Sequence, residues 1–80
     1  MNVELSPKAA KYLSGLDASV KSRIKKGLYK LSLEPPQGDI KTLSGQDGFR
    51  LRIGKYRLLF DVTESDIIVY EIGLRGQIYK

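Results

Sequence analysis

The chain has no cysteine, no histidine and no tryptophan. Without cysteine it can use neither disulfides nor thiolate-held zinc. Without histidine, Ser-His-Asp and Cys-His nucleophile systems are excluded, as are the ordinary zinc sites. No run of about 18 apolar residues exists, so nothing reads as a membrane span. The opening MNVELSPKAAKY lacks the apolar core of a signal peptide. The expectation is a soluble, cytoplasmic protein that needs no cofactor and has no membrane partner.

What is present fits a small basic domain. Eighty residues make one domain, 1–80, and 41% apolar residues suffice for a core. Fourteen basic residues against nine acidic ones give a net charge of +5. That balance suggests a polyanionic partner, although it also serves solubility. The charge is spread evenly along the chain; what changes at its midpoint is the hydrophobic period.

Residues 2–5 (NVEL) are extended in character. Ser6 followed by Pro7 reads as a helix start, because proline's missing N–H costs nothing at the first helical position. Ala9, Tyr12, Leu13 and Leu16 recur at helical spacing. Asp17 is a second N-cap, opening a helix from Ala18 to about Leu33 with Val20, Ile24, Leu28 and Leu31 on one stripe. The pair forms a helical hairpin, and Pro35 and Pro36 end it. In the polar stretch that follows, Ile40 and Leu43 form either a short extended piece or an anchor for the loop.

From Phe49 the period becomes two. Phe49, Leu51 and Ile53 alternate with Arg50 and Arg52. Gly54 and Lys55 form a two-residue turn with glycine first, as a type II′ hairpin prefers. Tyr56 to Val62 is the next strand. Ile67 to Ile72 is another, nearly all apolar, expected to be central, covered on both faces and broken at Gly73. The order β-α-α-β-β-β indicates an α+β fold with helices packed on one face of an antiparallel sheet. Tyr12, Tyr29 and Tyr70 fit helix or sheet packing.

The hairpin turn sets a parity. Ile53 faces Tyr56, Arg52 faces Arg57 and Arg50 faces Leu59. Arg50, Arg52 and Arg57 therefore share one open face, while Leu51, Ile53, Leu58, Phe60 and Val62 share the face under the helices. Like charges directly opposite are destabilising. Either Asp61 and Glu71 neutralise the cluster as a surface network, or it is an anion site, for which arginine's planar, permanently charged fork is suited. Arg75 lies between two glycines near the end, followed by Tyr79. Tyr56 and Tyr79 lie near the arginines in sequence, where they can stack on bases.

The two-helix start, P-P-x-G-D-I-K-T-L-S-G, F-R-L-R-I-G-K-Y-R-L-L-F-D-V and the ending I-V-Y-E-I-G-L-R-G-Q-I-Y-K together resemble the RelE/ParE superfamily of bacterial toxins, and its RelE-like ribonuclease branch in particular. The resemblance covers the whole chain. It implies a toxin that cleaves messenger RNA, in the best-known members in the ribosomal A site of the 30S subunit. It also implies a RelB-like antitoxin, usually encoded beside the toxin, that blocks the site. By position, Arg50 and Arg52 match the family's basic pair on the first hairpin strand. Arg57 matches the arginine after the Gly-x-Tyr turn, and Arg75 and Tyr79 match the tail arginine and tyrosine. The chain departs from the pattern in having arginines where the best-known member has lysines, and Leu74 where many relatives have histidine.

Cleavage through the 2′-hydroxyl needs that hydroxyl deprotonated, the phosphorane stabilised and the 5′-oxygen protonated. No metal is required. Four arginines supply charge stabilisation. Arginine is a poor proton shuttle, so Tyr79 is the first acid/base candidate and Glu71 the second. Lys55 and Tyr56 at the hairpin turn, and Lys21, Lys25 and Lys26 on the second helix, are the expected RNA contacts. A solvated helix face explains the helix lysines equally well. The competing readings are a ParE-like gyrase inhibitor, and a relative that binds RNA or protein without cleaving.

Overall fold

Two N-caps and one glycine turn organise the chain. The computed structural model describes residues 1–76; Tyr79, named above as the acid/base candidate, lies outside the described residues, as do residues 77, 78 and 80. Strand β1 (Asn2–Leu5) leads into helices α1 (Pro7–Ser14) and α2 (Ala18–Leu31). Strands β2 (Asp39–Thr42), β3 (Phe49–Ile53), β4 (Tyr56–Val62) and β5 (Asp66–Leu74) follow. The sheet order is β1-β5-β4-β3-β2. β1 runs parallel to β5, and the other neighbours are antiparallel. This is the expected α+β arrangement with one strand more.

Both helix starts form as their sequences require. The Ser6 hydroxyl accepts from the Ala9 N–H at 3.1 Å and donates to the Tyr70 carbonyl at 3.0 Å, so one side chain caps α1 and ties it to β5. Pro7 occupies the first turn. The Asp17 carboxylate accepts from the Val20 N–H at 3.0 Å. That bond first, and the Ser19 hydroxyl second, hold its pKa below the ordinary aspartate value. α2 stops at Leu31, short of the expected Leu33 and ahead of the prolines. The Ser32 N–H turns back to the carbonyls of Leu28 and Tyr29, and the Gln37 N–H closes on the Lys30 carbonyl at 3.0 Å.

The core lies between the helices and one face of the sheet. Ala9, Leu13, Ile24 and Leu31 of the helices pack with Leu51, Tyr56, Leu58, Phe60, Ile67, Val69 and Ile72 of the strands. α2 can approach β3 closely because a Cβ at Gly27 would collide with the Ile53 side chain. Ile40 and Leu43 do both things the sequence allowed. Ile40 faces the core from β2, and Leu43 is buried just beyond it. Among the described residues, no helix is long and apolar enough to cross a membrane.

Four expectations are corrected by the structure. β5 lies inside the sheet between β4 and β1, but helices cover only one of its faces; Ile68, between buried neighbours, and Tyr70 are half-buried. It also continues through Gly73 to Leu74, because Gly73 stays paired with Arg57. The helices do not reach the far end of β4, so Val62 is 46% exposed. Beside it Ile40, Phe49, Phe60 and Pro36 line an apolar groove, with the two phenyl rings stacked at 5.4 Å. Tyr29 is 67% exposed rather than packed, since it falls off the stripe that α2 buries.

Replacing Ser6 with alanine removes the α1 cap and the link to Tyr70 together. The expected loss is about 1 kcal/mol, read as a lower midpoint in thermal or urea unfolding.

Candidate nucleic-acid interface

Of the glycine and lysine in the β3–β4 turn, only Gly54 has positive φ (58°), and among the described residues no non-glycine residue does. That is the pattern of a type II′ turn. It fixes the register as the sequence implied: Ile53 pairs with Tyr56, Arg52 with Arg57, Leu51 with Leu58 and Arg50 with Leu59. Arg50, Arg52 and Arg57 therefore lie on the sheet face opposite the core. Alternation carries the same face across the sheet. Lys41 stands opposite Arg50 on β2, and Glu71 stands opposite Leu59 on β5. Lys41 escaped the sequence reading because β2 did. Its signal was the alternation of Asp39, Ile40, Lys41 and Thr42.

The acid that serves the arginines is Asp39. Its carboxylate lies 3.4 Å from Arg50 Nη1 and 3.9 Å from Arg52 Nε. Its backbone carbonyl also accepts from Arg50 Nη1, at 3.1 Å. The expected neutralising pair of Asp61 and Glu71 is not the one found. Glu71 reaches Lys8 at 3.5 Å. Asp61 sits beside Gly48, where a Cβ would stand 3.0 Å from its carboxylate. Asp39 wins because β2 pairs with β3 directly opposite Arg52.

The arginines are not equally presented. Arg50 is only 6% exposed, which corrects the expectation of a fully open arginine face. Arg52 and Arg57 are half-exposed and directly opposite one another. Juxtaposed like charges cost on the order of 0.2–1 kcal/mol in a sheet. Arg75 extends the same edge. Its N–H donates to the Lys55 carbonyl at 2.9 Å, bringing both exposed basic side chains to the hairpin end.

Tyr56, expected among the RNA contacts, is buried in the core rather than presented beside the arginines. The parity that turns Arg57 outward turns Tyr56 inward, and it is 8% exposed within the hydrophobic core. It lies near enough to Tyr12 to add to the burial that raises that phenol's pKa. Lys21, Lys25 and Lys26 lie along the outer side of α2 with the exposed Tyr29. α2 packs on the opposite side of the sheet from the arginine face, which separates Lys21 and Lys25 from it, whereas Lys26 also borders Arg52 at the sheet edge. A residue the sequence reading passed over is Arg23, whose guanidinium lies against the hairpin turn, where a Cβ at Gly54 would meet it.

Asp39→Asn keeps the backbone acceptor of Arg50 and removes the charge between two arginines. The expected destabilisation is about 1–2 kcal/mol, smaller than for a fully buried pair because the Asp39 side chain is 51% exposed. Urea unfolding of the variant against wild type measures it.

The chain was compared with known proteins. The model of a family described as the ParE toxin of the parDE type II toxin–antitoxin system matches residues 3–79. A Methanocaldococcus jannaschii protein that carries the toxin name RelE1 is 35% identical, over 99% of this chain and 94% of its own length. The archaeal RelE–RelB complex from Pyrococcus horikoshii OT3 contains a chain that superposes with a TM-score of 0.80 at 25% identity, covering 95% of this chain and 96% of that one. The RelB–RelE antitoxin–toxin complex from Methanococcus jannaschii gives 0.77 at 24% identity, covering 94% and 93%, and shows the same fold. A family match over nearly the whole length, and an end-to-end relative above 30% identity, mean that this chain belongs to the ParE toxin family and is a type II toxin–antitoxin toxin of the RelE/ParE superfamily.

Proposed function

We propose that this toxin is a RelE-like endoribonuclease that cuts messenger RNA in the ribosomal A site. The observation that carries the reading is the placement of Arg52 opposite Arg57 on a sheet face that no helix covers, with Arg50 behind them and Arg75 at the adjoining edge. A phosphate between Arg52 and Arg57 offsets their mutual repulsion and receives planar, charge-assisted hydrogen bonds.

The reaction runs as follows. The 2′-oxygen loses its proton and attacks phosphorus, the phosphorane gathers negative charge, and the 5′-oxygen leaves with a proton. The products are a 2′,3′-cyclic phosphate and a 5′-hydroxyl. Arg52 and Arg57 stabilise the phosphorane, a kind of term that is often the largest in such catalysis. Arg50, being buried, acts on the same charge from behind. Arg75 and Lys55 extend the positive surface at the hairpin end. Proton transfer falls to Tyr79, which matches the family's tail tyrosine by position and is the first acid/base candidate because arginine is a poor proton shuttle. Glu71, on the arginine face, is the alternative base. Lys21, Lys25 and Lys26 contact ribosomal RNA from α2.

The partner in the resting state is a RelB-like antitoxin. The Pyrococcus and Methanococcus relatives are known as complexes of that kind, and such a partner fits a toxin with exposed basic side chains at Lys55 and Arg75 beside the half-exposed Arg52 and Arg57. A second reading has its own support. The matching family is named for ParE toxins, and a ParE-like inhibitor of gyrase would share this fold.

Inducible expression in bacteria, with primer extension on a reporter message, separates the two. Growth arrest with discrete cuts at fixed positions within codons is the expected result. Arg57→Ala should reduce cutting by about 10²–10³-fold, and Tyr79→Phe should abolish it while ribosome binding survives. Wild-type cutting by the Tyr79 variant removes that residue from the mechanism. Arrest without cuts assigns the toxin to gyrase or another protein target.

A further inference from the structure

Two lysines on the outer side of α2, Lys26 and Lys30, also border the side of the helix that meets β3. Arg23, Lys26 and Lys30 follow one another at spacings of three and four, which is one side of a helix. That side turns toward the end of β3. Together with Arg52 it rims a cleft of about 270 Å³, and no acidic residue is among the described residues lining it. The cleft exists because β2 begins opposite Arg52, so Ile53 has no partner on that side. Two glycines narrow it. A Cβ at Gly27 would collide with Ile53, and one at Gly38 would stand 2.7 Å from the Leu51 side chain. The helix and the loop before β2 thus lie directly on β3, and the polar ends of the four cations rise around an apolar floor.

α2 offers these cations no counterion of its own. α2 carries five basic residues and no acidic one, with Lys26 and Lys30 four apart, a spacing at which like charges weaken a helix. An anion in the cleft reverses that balance. Arg52 belongs to both places. It shares the Asp39 carboxylate with Arg50 on the open face, and it forms the rim of the cleft at the sheet edge. A strand of RNA lying on Arg52 therefore passes from one site into the other.

We propose that this cleft is a second phosphate site, in which Arg23, Lys26 and Lys30 hold a phosphodiester of the substrate strand adjacent to the one between Arg52 and Arg57. The proposal rests on the ribonuclease reading above. It adds a path for the strand, over the edge of β3 toward α2, and gives Arg23 and Lys30 a part in binding RNA.

The test is fluorescence anisotropy with a 2′-O-methylated single-stranded RNA octamer, which no 2′-hydroxyl reaction can cut, over a series of salt concentrations. Wild type is compared with Arg23→Gln/Lys30→Gln and with Lys8→Gln/Lys11→Gln, which removes the same charge from α1. The slope of log K against log salt should become shallower by about 0.7–1.4 in the cleft variant, one or two single-strand phosphate contacts, and should stay unchanged in the α1 variant. A cleft variant with the wild-type slope overturns the proposal. Equal flattening in both variants reduces the effect to net charge and also overturns it, as does failure of wild type to bind. A cleft variant that binds the octamer normally but loses 30S subunits in sedimentation assigns the cleft to ribosomal RNA instead. Cleavage is not read in this assay, so an intact message in the expression experiment would overturn the ribonuclease reading without deciding the slope.

Discussion

A guanidinium that leaves water must find acceptors to replace it. Arg50 finds two on a single residue, the carbonyl and the carboxylate of Asp39. Both are available only if residues 39–42 pair with β3 in the observed register. The short, polar edge strand and the buried arginine therefore require each other. The same carboxylate reaches Arg52 and moderates the charge that Arg50 and Arg52 place on this face. Move β2 by one residue and Ile40 turns outward while Asp39 turns into the core. The electrostatics of the open face and the packing of the covered one are thus settled by one strand pairing.

The sheet is used asymmetrically. Both helices and nearly all the large apolar side chains are committed to one face, which is as much core as a chain this small can build. The other face is left to hold charge. Because the β3–β4 hairpin is rigid and its turn is two residues long, the cations it carries are fixed relative to one another, as a site for a bidentate ligand requires. The helix lysines occupy the other side of the molecule, and the edge of β3 connects the two. The cleft there is lined from above by α2 and from the side by Arg52.

Much of this was legible because turns and caps are local. Ser6, Pro7 and Asp17 announce their helices within four residues. A glycine-first turn at Gly54 sets every pair along β3 and β4 once alternation is noticed. The same alternation places Tyr56 in the core, and the error there lay in weighing its closeness in sequence to the arginines above its parity. β2 was not legible as a strand. Four residues with a single inward side chain make too short a pattern, and its pairing is decided across the loop of residues 43–48. With β2 went Lys41, Asp39 as the counterion, and the burial of Arg50. The cleft was hidden for a related reason. Its parts come from α2, the following loop and β3, and only the close approach permitted by Gly27 brings them together.

The parallel pairing of β1 with β5 joins residues 2–5 to residues 66–69. Closing so long a loop is entropically costly, and contacts of this separation slow folding. During synthesis, then, the first strand emerges long before its neighbour exists, and α1, tied through Ser6 to Tyr70, waits with it. The sheet is complete only after residue 69 has been made, so the topology builds in a delay between the emergence of the first strand and the assembly of the face that carries the arginines.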